Sequence, residues 1–156
     1  MMTQAPQRPV VVVGVEERAG ARAAITVAAQ EARCRDAALV AVLAYSTNPA
    51  LGAPAARPMA TMHTLGDERL AAESALRDAV VDALGEEAEQ VTLRAVPGMA
   101  GRTLVDTARE FSAQLIVLAS HGAVSMLPGG VSQYVLRRAP CPVLVVPESS
   151  VTSSTR

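Results

Sequence analysis

The sequence predicts an α/β domain built on an open, doubly wound parallel sheet of five strands, with helices on both faces. Three observations predict this class. Short runs of valine, leucine and alanine recur without polar interruption, as in strands covered on both faces. Alanine-rich segments with helical spacing separate these runs, and glycine or proline marks the changes between them. Strand and helix therefore alternate, which favours right-handed crossovers, and we expect the strand order 3-2-1-4-5.

The predicted elements follow one another along the whole chain. A loop rich in proline and alanine is expected at 46–63, with Thr64 capping the helix after it and Gly85 ending that helix. Gly98 and Gly101 are expected in one turn, and the strand at 91–96 alternates more than the others, as near a sheet edge. The predicted strands are residues 10–15, 39–45, 91–96, 115–119 and 143–146, and the predicted helices are 23–32, 64–84, 103–111 and 131–138.

Length and composition indicate a single domain. The chain has 156 residues, of which 50% are hydrophobic and 19% charged, enough for one covered core and too few for two ordinary domains. We place the domain at residues 9–147 and expect flexible termini at 1–8 and 148–156, since the final residues, SSVTSSTR, are polar and small.

Charge and cysteine content argue against several classes of partner. The formal net charge of −1 gives no general attraction to nucleic acid or to a membrane surface. No secretory leader or run of about 18 apolar residues is present, so we expect a cytoplasmic protein. Cys34 and Cys141 have no metal-binding or CxxC spacing, and we interpret the acidic residues at 86–89 as a solvated helix end. No metal site is predicted.

The stretch 115–147 combines a buried strand, a glycine-bearing loop, a short helix and a second aliphatic strand. Its loop resembles the fingerprint of the universal stress protein family, which is glycine, two residues, glycine, nine residues, then glycine with serine or threonine. Ala119 takes the first glycine position, Gly122 the second, Gly129 the third, and Gly130 the hydroxyl position. Only six residues separate Gly122 from Gly129, while the segment VLRRAPCPVLVV matches the family closely.

This resemblance implies a nucleotide cleft at the carboxyl ends of the strands at 10–15 and 115–119. In family members that bind ATP, an acidic residue and the end of the second strand contact adenine, a glycine approaches the ribose, and the glycine loop holds the phosphates. The resemblance carries these roles, in that order, to Glu16, Tyr45, Gly98, Gly122, Gly129, Gly130 and Ser132. Ser120, His121 and Val131 are expected to converge on the same place.

The departures from the fingerprint indicate weak ATP binding. Three missing residues shorten the reach of the loop by about 10 Å. The absent hydroxyl costs roughly 1.5–3 kcal/mol, and Ala119 costs about 1–2 kcal/mol if its position requires a left-handed backbone. Because micromolar binding is about 8.2 kcal/mol in total, these losses move ATP toward millimolar affinity. A free anion or AMP at the helix that follows Gly130 is the alternative.

We therefore expect a regulatory or interaction protein of the stress response, with an altered nucleotide cleft, no required cofactor and an unknown protein partner. The alternative is a sensor that binds ATP or AMP and hydrolyses ATP slowly, if at all. No catalytic residue is predicted, because Ser120 and His121 are neighbours on a strand end, point to opposite faces, and belong to no GxSxG turn.

The last strand is the predicted site of self-association. As a short aliphatic strand at a sheet edge, it would leave backbone groups unpaired beside exposed valines. The family resemblance implies a homodimer through this strand. The expected interface residues are Val143, Leu144, Val145 and Val146.

Overall fold

The computed structural model describes residues 8–17, 20–47, 65–120 and 130–148. Five parallel strands form one sheet in the order 3-2-1-4-5, numbered along the chain, which confirms the predicted class and strand order. A 3₁₀ helix, Gly85–Gln90, joins the second α-helix to the third strand. The elements are β1 Val10–Gly14, α1 Ala21–Cys34, β2 Ala38–Tyr45, α2 Leu65–Leu84, β3 Thr92–Pro97, α3 Ala100–Glu110, β4 Leu115–Ser120, α4 Val131–Arg138 and β5 Val143–Pro147.

The central strand β1 is covered on both faces. Val11 and Val13 point into the core beneath α1 and α2, and Val12 points into the core beneath α3 and α4. All three side chains are fully buried. Because burying a valine contributes roughly 1.5–3 kcal/mol, this run explains why the sheet is organised around β1.

Helices α1 and α2 cover one face of the sheet with small and medium-sized side chains. Ala24 and Ala28 of α1 are fully buried, so the helix backbone lies close to the strands, and Ile25 fills the space beside them. Leu76 and Val80 are the corresponding buried residues of α2. This alanine face is the pattern from which the sequence predicted a helix packed on a sheet.

Helix α3 begins at Ala100, three residues earlier than predicted, and Gly101 lies inside the helix rather than in a turn. The extended backbone at Met99 precedes the helix, and its carbonyl accepts from the Thr103 N–H at 2.9 Å. Gly101 is buried against Tyr134 of α4: a Cβ added there would lie 2.9 Å from Tyr134 Cδ1. The glycine is therefore explained by the close approach of two helices.

One arginine contact lies within α4, and a second joins α3 to α4. The Arg138 guanidinium lies over the Tyr134 ring, 4.4 Å from its centroid, in a cation–π contact. Arg109 of α3 donates from Nη2 to the Arg138 carbonyl at 3.2 Å, which occupies one of the acceptors that the end of a helix leaves open. Tyr134 is thus enclosed between Gly101 and Arg138.

Replacing Gly101 with alanine should destabilise the protein by about 1–2 kcal/mol, because the added methyl overpacks the contact with Tyr134. At an ordinary helix position the same change would stabilise by about 1 kcal/mol. Urea unfolding measures the difference. In a Tyr134→Ala background the loss should shrink, because the ring atoms are removed while the Cβ of residue 134, at 3.1 Å, remains. A Gly101→Ala protein more stable than wild type would contradict the close approach.

Candidate functional site

A cleft opens where the carboxyl ends of β1, β2 and β4 meet the first turns of α3 and α4. The space that its described lining encloses is about 20 Å³, far smaller than a typical small-molecule site of roughly 300–1,000 Å³, so the cleft is a shallow crevice. Its position is the crevice beside the strand-order reversal, where doubly wound sheets bind ligands. Its lining is Gly14, Val15, Glu16, Val42, Ala44, Ala100, Leu104, Leu118, Ala119, Val131 and Ser132.

Three of the predicted site residues, Glu16, Val131 and Ser132, line this cleft together. Tyr45 and Gly98 lie beside each other at the ends of β2 and β3, where the Gly98 N–H donates to the Tyr45 carbonyl at 2.9 Å. Gly98 has a φ of +141°, which favours glycine, and it lines a neighbouring groove along α3 instead of the cleft.

The remaining predicted residues belong to the segment between β4 and α4. Ser120 is half-buried at the end of β4, where its carbonyl accepts from the Glu148 N–H at 3.1 Å. Gly130 immediately precedes α4, and its carbonyl accepts from the Tyr134 N–H. His121, Gly122 and Gly129 lie outside the described residues.

The floor of the cleft comes from residues that sequence reasoning missed. A Cβ on Gly14 would lie 2.9 Å from Leu104 Cδ1 and 3.0 Å from Leu118 Cδ2, so any other residue here would push the ends of these two side chains away from β1. The glycine that interrupts the valine run was the available signal. Ala100 escaped notice because α3 begins before its predicted start. Leu104 lies within the predicted helix, and its place in the cleft depends on packing against β1 that the sequence pattern does not show.

The two substituted fingerprint positions adopt ordinary backbone conformations. Ala119 lies within β4 opposite Val146, and it is not among the non-glycine residues with positive φ in the described ranges. The penalty expected for a left-handed alanine therefore does not apply. Gly130 occupies the N-cap of α4 with φ −69° and ψ 160°, and no side chain caps the helix. A serine or threonine here would supply such a cap.

The first turn of α4, which carries open backbone donors, consequently lies at the cleft. The first N–H groups of a helix have no acceptor within the helix, and here Val131 and Ser132 begin the helix at the cleft wall. The positive end of the helix dipole adds to this arrangement. Together they can accept a single anionic group.

The side chains around the cleft carry negative rather than positive charge. Glu16 is the one ionisable side chain in the described lining, and no arginine is among the described residues that line the cleft. All 14 cationic residues of the chain are arginines, and residues 121–129 contain none. Within the described lining, a polyphosphate would therefore meet a carboxylate without the cationic side chains that usually neutralise it.

Ser132 is the one hydroxyl in the described lining, and no basic side chain there can activate it. The two thiols are elsewhere: Cys34 is exposed at the end of α1, and burial raises the pKa of the half-buried Cys141. Within the described ranges, no three metal-binding side chains come together, and no helix is long and apolar enough to cross a membrane.

Comparison with solved structures finds the same architecture in many proteins. A universal stress protein in complex with cAMP is 26% identical, with a TM-score of 0.65 over 91% of this chain and 98% of that one. UspA from Lactobacillus plantarum is 23% identical, with a TM-score of 0.64 over 91% and 99% of the two chains. A universal stress protein from Archaeoglobus fulgidus in complex with dAMP is 20% identical, with a TM-score of 0.56 over 88% and 96%.

The last two likenesses concern the fold alone, because their sequence identity is low. A search among curated proteins finds no match. The model of the universal stress protein family matches residues 8–147, which include every element of the sheet and its helices. The chain belongs to the universal stress protein family.

Proposed function

We propose that this chain is a non-catalytic regulatory protein whose cleft binds a nucleotide of low charge, such as cAMP or AMP, in preference to ATP. The observation that carries the proposal is the composition of the cleft. Its described lining offers apolar side chains, one hydroxyl, one carboxylate and the first turn of α4, with no cationic side chain. Such a site suits one anionic group better than three.

The charge of Glu16 supports this order of preference. A carboxylate repels each phosphate charge brought near it, and the repulsion grows as the dielectric falls inside a cleft. ATP carries several negative charges and cAMP carries one. Backbone N–H groups at α4 can offset a single charge, while nothing in the described lining offsets the others.

The complex of a related universal stress protein with cAMP supports the same ligand class, since that protein aligns with 91% of this chain. A second candidate, an interaction protein that binds no nucleotide, is favoured by the loop: six residues separate Gly122 from Gly129 where the fingerprint has nine. Both candidates are regulatory, and they differ in whether the cleft is occupied.

Isothermal titration calorimetry should show cAMP or AMP binding at least roughly tenfold more tightly than Mg-ATP. Glu16→Gln should narrow that gap, because it removes a charge that repels ATP more than cAMP. Glu17→Gln is the matched control, since Glu17 is exposed and lies outside the cleft lining. Mg-ATP bound near micromolar affinity would overturn the preference, and no binding by any of the three would favour the interaction protein.

A proline at position 131 tests the role of the α4 donors. Val131 is the first residue of the helix, where proline fits without breaking the helix, and the extended Gly130 before it suits a following proline. Val131→Pro removes one N–H and should weaken AMP binding roughly tenfold, as for one charged hydrogen bond. Val131→Ala shortens the side chain but keeps the N–H, so equal losses in both variants would exclude the donor role.

We also propose that the regulatory unit is a homodimer joined through β5. This strand lies at one edge of the sheet, and its four aliphatic residues are only half-buried within one chain. Leu144 and Val146 pack toward α1 and α2, and Val143 packs toward α3 and α4. A second β5 would pair the open backbone and cover these side chains.

Val145→Lys should yield monomers at moderate concentration, because it places a charge in the middle of the proposed interface. Light scattering coupled to gel filtration gives the mass. Met99→Lys is the control, since Met99 is 79% exposed and lies beside α3, away from β5. A Val145→Lys protein that keeps the mass of the wild type would argue against β5 as the main interface.

A further inference from the structure

The opposite edge of the sheet carries an apolar groove between α2, the 3₁₀ helix and β3. We call it the α2 groove. Arg77, about two turns before the end of α2, and Glu86 and Glu89, on the 3₁₀ helix that follows, are among its lining residues. Val81 on its wall is 50% exposed, an unusual degree for a valine beside a buried core. The apolar lining of the groove is Val80, Val81, Ala88, Val91 and Leu93.

The charged residues that line the α2 groove differ from most other charged residues of the described chain because they form no ion pairs there. Most described arginines form ion pairs, as Arg22 does with Asp82 and Arg94 does with Glu110. Arg77, Glu86 and Glu89 are exposed, and none of them pairs with another described residue. The groove is therefore lined by charges of opposite sign that pair with no other described residue, the arginine on α2 and the two glutamates on the 3₁₀ helix.

This distribution of charge is self-complementary. A two-fold axis across the middle of the groove would bring the Arg77 end of one copy onto the Glu86 and Glu89 end of the other. Such isologous contacts are the commonest way in which identical chains associate. The apolar lining of the two copies would then face each other and exclude water from the centre.

The backbone of β3 fits the same arrangement. β3 is the edge strand on this side of the sheet, and a two-fold axis would place two β3 strands antiparallel. Leu93 points toward the groove, whereas Arg94 is held on the other face by Glu110 at 3.2 Å and by the Phe111 ring. The Arg94 side chain therefore does not cover the α2 groove.

We infer that the α2 groove binds a second copy of this chain, through an interface separate from β5. The two interfaces lie on opposite edges of one sheet, so a chain that uses both joins dimers into a row instead of closing a ring. The contact is weak and sensitive to salt, because its specificity rests on exposed ion pairs.

Analytical ultracentrifugation of the Val145→Lys protein isolates this contact. With β5 blocked, the chain should still form a dimer as concentration rises, and added salt should weaken that dimer. Arg77→Glu and the double variant Glu86→Arg/Glu89→Arg should each raise the dissociation constant more than roughly tenfold, because like charges then meet at both ends. Arg137→Glu, an equal change of charge on α4, should have no effect.

The sharpest test is to mix the Arg77→Glu variant with the Glu86→Arg/Glu89→Arg variant and measure the mass of the mixture. Each end of the mixed interface again carries opposite charges, so the mixture should form heterodimers while each variant alone stays monomeric. A Val145→Lys protein that is monomeric at every concentration would overturn the inference, as would an Arg77→Glu protein that dimerises normally. A second test makes the same charge changes in the chain that keeps Val145. The unchanged chain should form species larger than a dimer at high concentration, and the charge changes should remove them. If the unchanged chain forms no such species, the inference is wrong.

Discussion

The position of helix α3 depends on two places where a side chain is missing. Gly14 lets Leu104 close over β1, and Gly101 lets Tyr134 press against the helix from the other side. Since protein interiors pack at near-crystalline density, a methyl group at either place must displace a neighbour. The cleft depends on these contacts, because α3 supplies one wall directly and, through Tyr134, fixes the start of α4 that supplies another.

The same contacts connect the cleft to the edge of the sheet. Helix α4 begins at the cleft with Val131 and ends at Arg138, a few residues before β5. A ligand that changes the position of its first turn therefore acts on the element that leads into the proposed dimer strand. If a ligand is to regulate association, it must change the position of an element that the partner subunit contacts.

Much of the fold could be predicted from sequence, because the aliphatic runs are short, uninterrupted and separated by helical spacing. The valines of β1 gave the centre of the sheet, and the alternation in β3 gave an edge. The start of α3 was missed because Gly101 is typical of a turn, and only the Tyr134 ring, distant in sequence, explains a glycine within the helix.

The site was harder to predict for a related reason. Glu16, Val131 and Ser132 follow from their places at strand and helix ends, whereas Leu104 and Leu118 line the cleft through packing across the sheet. Local patterns contain no information about which distant side chains meet. Ala119 is a second example. The binding energy that it was expected to cost depended on a left-handed backbone, and sequence alone does not give that angle.

The bare N-cap of α4 has a consequence for the dynamics of the chain. Helix α4 has eight residues, and Gly130 offers no side chain to satisfy the N–H groups of its first turn. Short helices with open ends fray, and their amides exchange hydrogen with solvent sooner than those of the core. An anion seated at that end would serve as the missing cap, so occupancy of the cleft and local order of α4 would rise and fall together.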